Sequence, residues 1–235
     1  MNTQQEQSGD RRAVALDLDG ILLDGMRFHI AAWHQAFADY GVRLESRDLY
    51  LLEGIKTRDV VDRIAEKYKL DLSADNRDSV AKLKKETYQA IFRPVPIDGA
   101  TSLLDACWDS GYPIAIVTGT HAIAAIQTLE KLGRQDRVQH IISADLHIPG
   151  KPDPAPFREA TVRLGIPADR CLAVDNAPAG LESAIGAGLP CAGVATYLPA
   201  SDLAHADRVF ADVAALAAWI RDDYAITGGR GPWSL

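Results

Sequence analysis

The sequence predicts a doubly wound α/β domain, a parallel sheet of Rossmann-like layout, with an α-helical cap inserted near its start. Three observations carry this. Short apolar runs without polar alternation recur along the chain, as strands covered on both faces require. Segments with apolar residues every three to four positions lie between them. One stretch, residues 25–93, separates the first run from the second and holds only helical patterns.

The first strand is AVALDL, residues 13–18, and it runs directly into Asp19 and Gly20. Residues 25–93 then carry three stripes: Ile30, Trp33, Phe37 and Tyr40; Val61, Ile64, Ala65 and Tyr68; Val80, Leu83, Thr87 and Ile91. Such a length cannot be a loop inside a compact domain, so a helical cap with its own small core is expected. RPVPIDGA, residues 93–100, returns the chain to the main domain, which is expected to comprise residues 13–24 and 94–235. The later strands are PIAIVT (113–118), VQHIIS (138–143), CLAVDN (171–176), CAGVA (191–195) and RVF (208–210). Between them run stripes at Ala100, Leu103, Leu104, Cys107 and Trp108, at Ala122, Ile126, Leu129 and Gly133, and at Val213, Leu216, Ile220 and Tyr224. The leader, residues 1–12, is expected to be disordered, and the Gly-rich closing TGGRGPWSL to be a loose tail.

Composition narrows the function. The 235 residues are 47% apolar, enough for a sizeable core. The 25 basic residues face 32 acidic ones, net −7, with no basic run, which argues against nucleic acid and for small-molecule partners. Cys107, Cys171 and Cys191 stand apart in apolar contexts, so a disulfide framework or thiolate metal site is not indicated. With no signal-peptide core and no apolar run near the ~20 residues of a membrane span, a cytoplasmic location is expected. Whether the chain is a monomer or a dimer stays open.

Chemistry gathers at the strand ends. In open parallel sheets, ligands bind in the crevice at the carboxyl edge. Asp17 and Asp19 end the first strand, Thr118 and Gly119 the second, Asp175 and Asn176 the fourth, and Lys151 precedes Asp153 and Pro154 in GKPDPAPF. Alone, each has a plainer reading: a turn, a helix cap or a solvated lysine. Asp153 and Pro154 are read simply as a helix start, and Asp24 as a structural acid at the entry to the cap. The six histidines show no zinc-ligand spacing. Crowded carboxylates are tolerated where a cation or a phosphoryl group sits among them.

DLDGILLD, VTGT, GKPDPAPF and VDNAPAG, in that order, resemble the four motifs of the haloacid dehalogenase-like hydrolase superfamily. The helical insertion after the first motif is similar to that of its phosphatase and β-phosphoglucomutase branch. The resemblance implies that Asp17 is the nucleophile and Asp19 the general acid and base. It gives phosphoryl-oxygen positions to Thr118, Gly119 and Lys151, and Mg²⁺ to Asp17, Asp19 and Asp175. Asn176 departs from the pattern, since many relatives carry a second acid there, which makes it an outer ligand or a weaker one. In the cap, His29, Arg58 and Lys84 match substrate-facing positions, while Lys56 and Lys85 read as exposed charges.

The resulting expectation is a Mg²⁺-dependent phosphatase of small phosphorylated metabolites, sugar or polyol phosphates, working through an aspartyl phosphate. A phosphomutase of the same branch is the first alternative and a non-catalytic metabolite-binding relative the second. Phosphonate cleavage through a cap lysine of lowered pKa ranks last, because Asp19 is unnecessary for it.

Overall fold

Every residue of Ala13–Leu16 is buried, which places this strand, β1, at the centre of the sheet. The structure is a computed structural model and describes residues 11–235. Among the described residues the other strands are β2 (Ile114–Val117), β3 (His140–Ile142), β4 (Cys171–Asp175), β5 (Cys191–Val194) and β6 (Arg208–Phe210), all pairing in parallel in the order β3-β2-β1-β4-β5-β6. Ala15 pairs with Ala115 on one side and Ala173 on the other. The six expected runs are all strands. Most are shorter than the apolar run that marks them, because the polar residues at their carboxyl ends peel away into the crevice.

Alternate residues of β1 feed opposite faces. Val14 and Leu16 meet Leu103, Leu104 and Cys107 of helix α5 (Ala100–Asp109) and Leu216 and Ile220 of α9 (Val213–Thr227). Ala13 and Ala15 meet Phe157 and Ala160 of α7 (Ala155–Leu164) and Leu181 and Ala184 of α8 (Pro178–Gly186). The remaining core helix, α6 (Ala122–Leu132), follows β2. Between β1 and β2 lie α1 (Met26–Ala36), α2 (Ser46–Leu51), α3 (Thr57–Lys67) and α4 (Ala74–Ile91), with a separate apolar cluster around Trp33, Phe37, Val61, Ile64 and Val80.

Several expected stripes are rotated. Trp108, Ile126, Tyr224 and Leu83 are exposed. Helix α6 buries Ala124, Ala125, Thr128 and Leu129 instead, small residues that let it approach the sheet closely, and α4 buries Val80, Lys84 and Tyr88. Hydrophobicity alone misplaces such faces where small or polar side chains do the packing.

The loose-tail expectation is overturned. After Gly228, in the left-handed conformation at φ 63°, the chain folds back. Trp233 is buried edge-on to Tyr112 at 5.0 Å and lies 5.8 Å from Trp219, its Nε1 donating to the Arg170 carbonyl at 3.2 Å. Arg12, which the sequence assigns to the leader, is also buried. Its guanidinium pairs with Asp223, lies 4.7 Å over Trp233, and donates to the carbonyls of Gly231 (2.8 Å), Arg230 (2.9 Å) and Pro232. A guanidinium with five donors needs acceptors, and a tail outside helix and sheet has carbonyls to spare. The rest of the leader expectation, residues 1–10, lies outside the described residues. Among the described residues no helix is long and apolar enough to cross a membrane.

Candidate active site

The pairing of β1 with β4 brings Asp17 and Asp175 side by side at the carboxyl edge, where the Asp17 N–H still donates to the Val174 carbonyl at 2.8 Å. Lys151 reaches between them. Its ammonium donates to Asp17 Oδ1 at 2.5 Å, to Asp175 Oδ2 at 2.7 Å and to the Val117 carbonyl at 3.0 Å, which uses all three of its protons. The other Asp175 oxygen accepts from the Ala177 N–H at 3.0 Å. All three charged side chains are buried.

Asp19 follows two residues after Asp17. Thr120 Oγ1 donates to its Oδ2 at 3.1 Å, and Oδ1 has no hydrogen-bond partner. Glycine makes the room: a Cβ on Gly25 would lie 1.7 Å from Asp19 Oδ1, and one on Gly180 1.9 Å from Asp175 Oδ2. Thr118 is buried at the end of β2, its hydroxyl accepting from the Thr120 N–H at 3.1 Å, with Gly119 between them under the Gly54 carbonyl.

The cap closes over this edge. Ile55 forms an isolated parallel bridge with Lys151, and Glu53 Oε2 accepts from Asn176 Nδ2 at 2.8 Å. Above Asp19 sits a second group. Lys84 Nζ lies 2.8 Å from His29 Nδ1, 5.1 Å from the Trp33 ring centre and 5.2 Å from that of Tyr88, while His29 stacks on Tyr88 at 4.2 Å. An ammonium can only donate, so Nδ1 accepts and the ring proton is on Nε2, 3.8 Å from Asp19 Oδ1. Arg58 stands apart from this group. It pairs with Asp62 and Asp78 within the cap. Lys56 and Lys85 are exposed.

The electrostatics call for added positive charge. Burial pushes the Asp17 carboxyl up to about 8, against the pull of Lys151 and helped by the Asp175 and Asp19 charges. Burial, then Asp17, Asp19 and Asp175, hold Glu53 well above the usual range despite its bond from Asn176. Burial opposes the Lys151 ammonium, but Asp17 and Asp175 outweigh it and keep it protonated. Burial lowers Lys84 to about 8, Asp19 opposing, and lowers His29, with Lys84 adding to the effect. Burial pushes the Cys107 and Cys171 thiols up to about 12, so neither is a reactive thiolate.

Two adjoining chambers result. One of about 60 Å³ has Asp17, Asp19, His29 and Glu53 in its wall. The other, about 650 Å³, opens between cap and core and is lined by Lys56, Arg58, Lys84, Lys85, His147 and Lys151 among others, with no Asp or Glu among the described residues at its wall. Anions are favoured there, although the chain as a whole is acidic. Asp24 serves structure, accepting from the Tyr197 hydroxyl at 2.8 Å and pairing with Arg27. Asp153 caps α7 through the Ala155 N–H at 2.8 Å.

Two residues of the site escape the sequence reading. Thr120 is the last residue of VTGT, and its hydroxyl on Asp19 has the motif itself as a signal. Glu53 has none, for nothing in LLEGIK marks that acid as core-facing.

A doubly wound core with an acid, a buried lysine and a second acid joined at its carboxyl edge, closed by a helical cap, defines a capped α/β hydrolase. The haloacid dehalogenase-like hydrolase profile matches residues 14–194, and the chain belongs to that family. It is 28% identical to validoxylamine A 7'-phosphate phosphatase of Streptomyces hygroscopicus subsp. limoneus over 86% of this chain and 94% of that protein. It is 29% identical to phosphoglycolate phosphatase of Rhodospirillum rubrum over 89% and 90% of the two chains. Among solved structures, β-phosphoglucomutase from Clostridium difficile superposes with TM-score 0.75 at 23% identity, covering 92% of this chain and 99% of that one, a likeness of fold.

Proposed function

We propose that this hydrolase is a Mg²⁺-dependent phosphatase of small phosphorylated metabolites, most simply sugar or polyol phosphates, acting through an aspartyl phosphate in the cytoplasm. The observation that carries it is the buried Asp17–Lys151–Asp175 cluster beside Asp19, opening toward a chamber lined with basic residues. The phosphatase names of the two curated relatives support the same reading.

The residues fit a hard cation. Asp17, Asp175 and the Asp19 backbone carbonyl offer oxygen, and beside them the buried oxygens Asn176 Oδ1 and Glu53 Oε1 have no partner. Asp175, while holding Lys151 and accepting from the Ala177 N–H, would offer the ion a remaining lone pair. When bound, the ion supplies positive charge against the phosphoryl oxygens.

An Asp17 oxygen attacks phosphorus and the bond to the ester oxygen breaks, leaving the phosphoryl group on Asp17. Asp19 gives its proton to the departing oxygen and then takes one from the water that cleaves the acyl phosphate, regenerating Asp17 and releasing phosphate. Thr120 holds Asp19 through one oxygen and leaves the other to the reaction. Lys151 aligns Asp17, while Thr118 and Gly119 would receive phosphoryl oxygens. Cap closure excludes bulk water until the leaving group is seated.

A phosphomutase reading draws on one observation, the Lys84–His29 pair above Asp19, which could orient a sugar hydroxyl for return of the phosphoryl group. Phosphate release from a panel of phosphorylated metabolites and p-nitrophenyl phosphate with Mg²⁺ separates the two. Free phosphate abolished by Asp17→Asn is the expected result; isomer interconversion dependent on a sugar bisphosphate would favour the mutase. No turnover of any ester by folded protein would refute both.

A further inference from the structure

The acids of this pocket do not all belong to the core. Glu53 lies in the turn after α2, where its N–H donates to the Tyr50 carbonyl at 3.3 Å and Gly54, at φ 78°, lets the chain double back onto Lys151. From there the side chain crosses from cap to core. One oxygen receives the Asn176 amide, and the other is buried with no partner. Asn176 Oδ1 is buried and unpartnered as well, so core and cap each leave one oxygen without a donor.

Of the cations nearby, Lys151 is fully engaged and Lys84 partly so. Lys151 divides its protons among Asp17, Asp175 and Val117, and Lys84 gives one to His29. Buried oxygens left without donors are costly unless something positive reaches them.

We propose that Glu53 is a cap-borne ligand of the divalent cation, direct or through one water, so that cation binding and cap closure are a single coupled event. An acid at position 176 would stay with the core whatever the cap did. An acid at position 53 arrives only when the cap closes, and withdrawing it on opening loosens the ion. The inference rests on the Mg²⁺-dependent reading above and adds to it a residue and a gate.

The test uses the full chain without substrate. Mg²⁺ binding is titrated calorimetrically for the wild type, Glu53→Gln, Asn176→Asp and the double variant, and amide exchange of residues 52–57 is followed with and without Mg²⁺. Glu53→Gln is expected to weaken Mg²⁺ by about 10- to 100-fold, and Asn176→Asp to restore affinity in the double variant. Mg²⁺ should slow exchange of the 52–57 loop in the wild type and leave it unchanged in Glu53→Gln. A Glu53→Gln affinity within about twofold of the wild type, with or without a raised KM, would overturn the proposal. So would a loop indifferent to Mg²⁺ in the wild type. If the wild type itself binds no Mg²⁺, the metal-dependent reading falls too; if it binds Mg²⁺ and hydrolyses p-nitrophenyl phosphate while Glu53→Gln matches it, only the role of Glu53 falls.

Discussion

Replacing Lys151 by methionine keeps the length of the side chain and removes the charge that holds the site together. The ammonium lies 2.5 Å from Asp17 and 2.7 Å from Asp175, all three side chains buried. At an effective dielectric of about 20 each contact is worth roughly 6 kcal/mol of gross attraction, most of it cancelled by desolvation. What the substitution exposes is the remainder: a buried Asp17–Asp175 pair without a counter-charge, a loss of about 3–5 kcal/mol. For a chain of this size that lowers the melting temperature on the order of 10 °C.

The assay is thermal and urea unfolding in chelator-treated buffer, so that no cation substitutes for the lysine. The pH dependence gives a second reading. Asp17, already held up at about 8, would bind protons more tightly in the folded variant than in the unfolded chain. The folded state then carries more bound protons than the unfolded one, and stability rises as pH falls toward about 5. Losing Lys151 pushes Asp17 higher still, so the gap to the wild type should widen as pH rises above about 8, and adding Asp17→Asn should recover part of the loss there. A Lys151→Met protein within about 1 kcal/mol of the wild type at pH 7, or a gap that does not widen above about pH 8, would refute the electrostatic account.

The Lys84 ammonium, lowered to about 8 by burial, should attract an anionic substrate below that pH and lose its hold above it. Steady-state kinetics of the wild type should give a KM rising through pH 8, whereas Lys84→Met should give a flat profile with KM raised about tenfold at pH 7. A rise retained in the variant would assign that limb to another group. Trp233→Ala should cost about 3–5 kcal/mol, read as a lower urea midpoint, with kcat unchanged because the docked tail touches no site residue. A loss under about 1 kcal/mol would return the tail to a loose end.

The amino-acid pattern by itself determined the sheet, because β1 is apolar on both faces and only a strand sandwiched between helices tolerates that. It also determined the acids and threonine of the rim, since Asp17, Thr118 and Asp175 each sit where an apolar run stops and a parallel sheet ends its strands along one edge. The tertiary structure alone decided which partners those residues find. That Lys151 spends every proton on the core, that Lys84 is buried against His29 rather than solvated, and that Arg58 turns to Asp78 depend on where separate helices dock. The same holds for Arg12, which finds its acceptors more than two hundred residues away, and for Glu53, whose carboxylate meets Asn176 across 123 positions of sequence. Periodicity reports the face a residue occupies; a contact between two elements is set by the angle and depth at which they pack, and no local spacing encodes either.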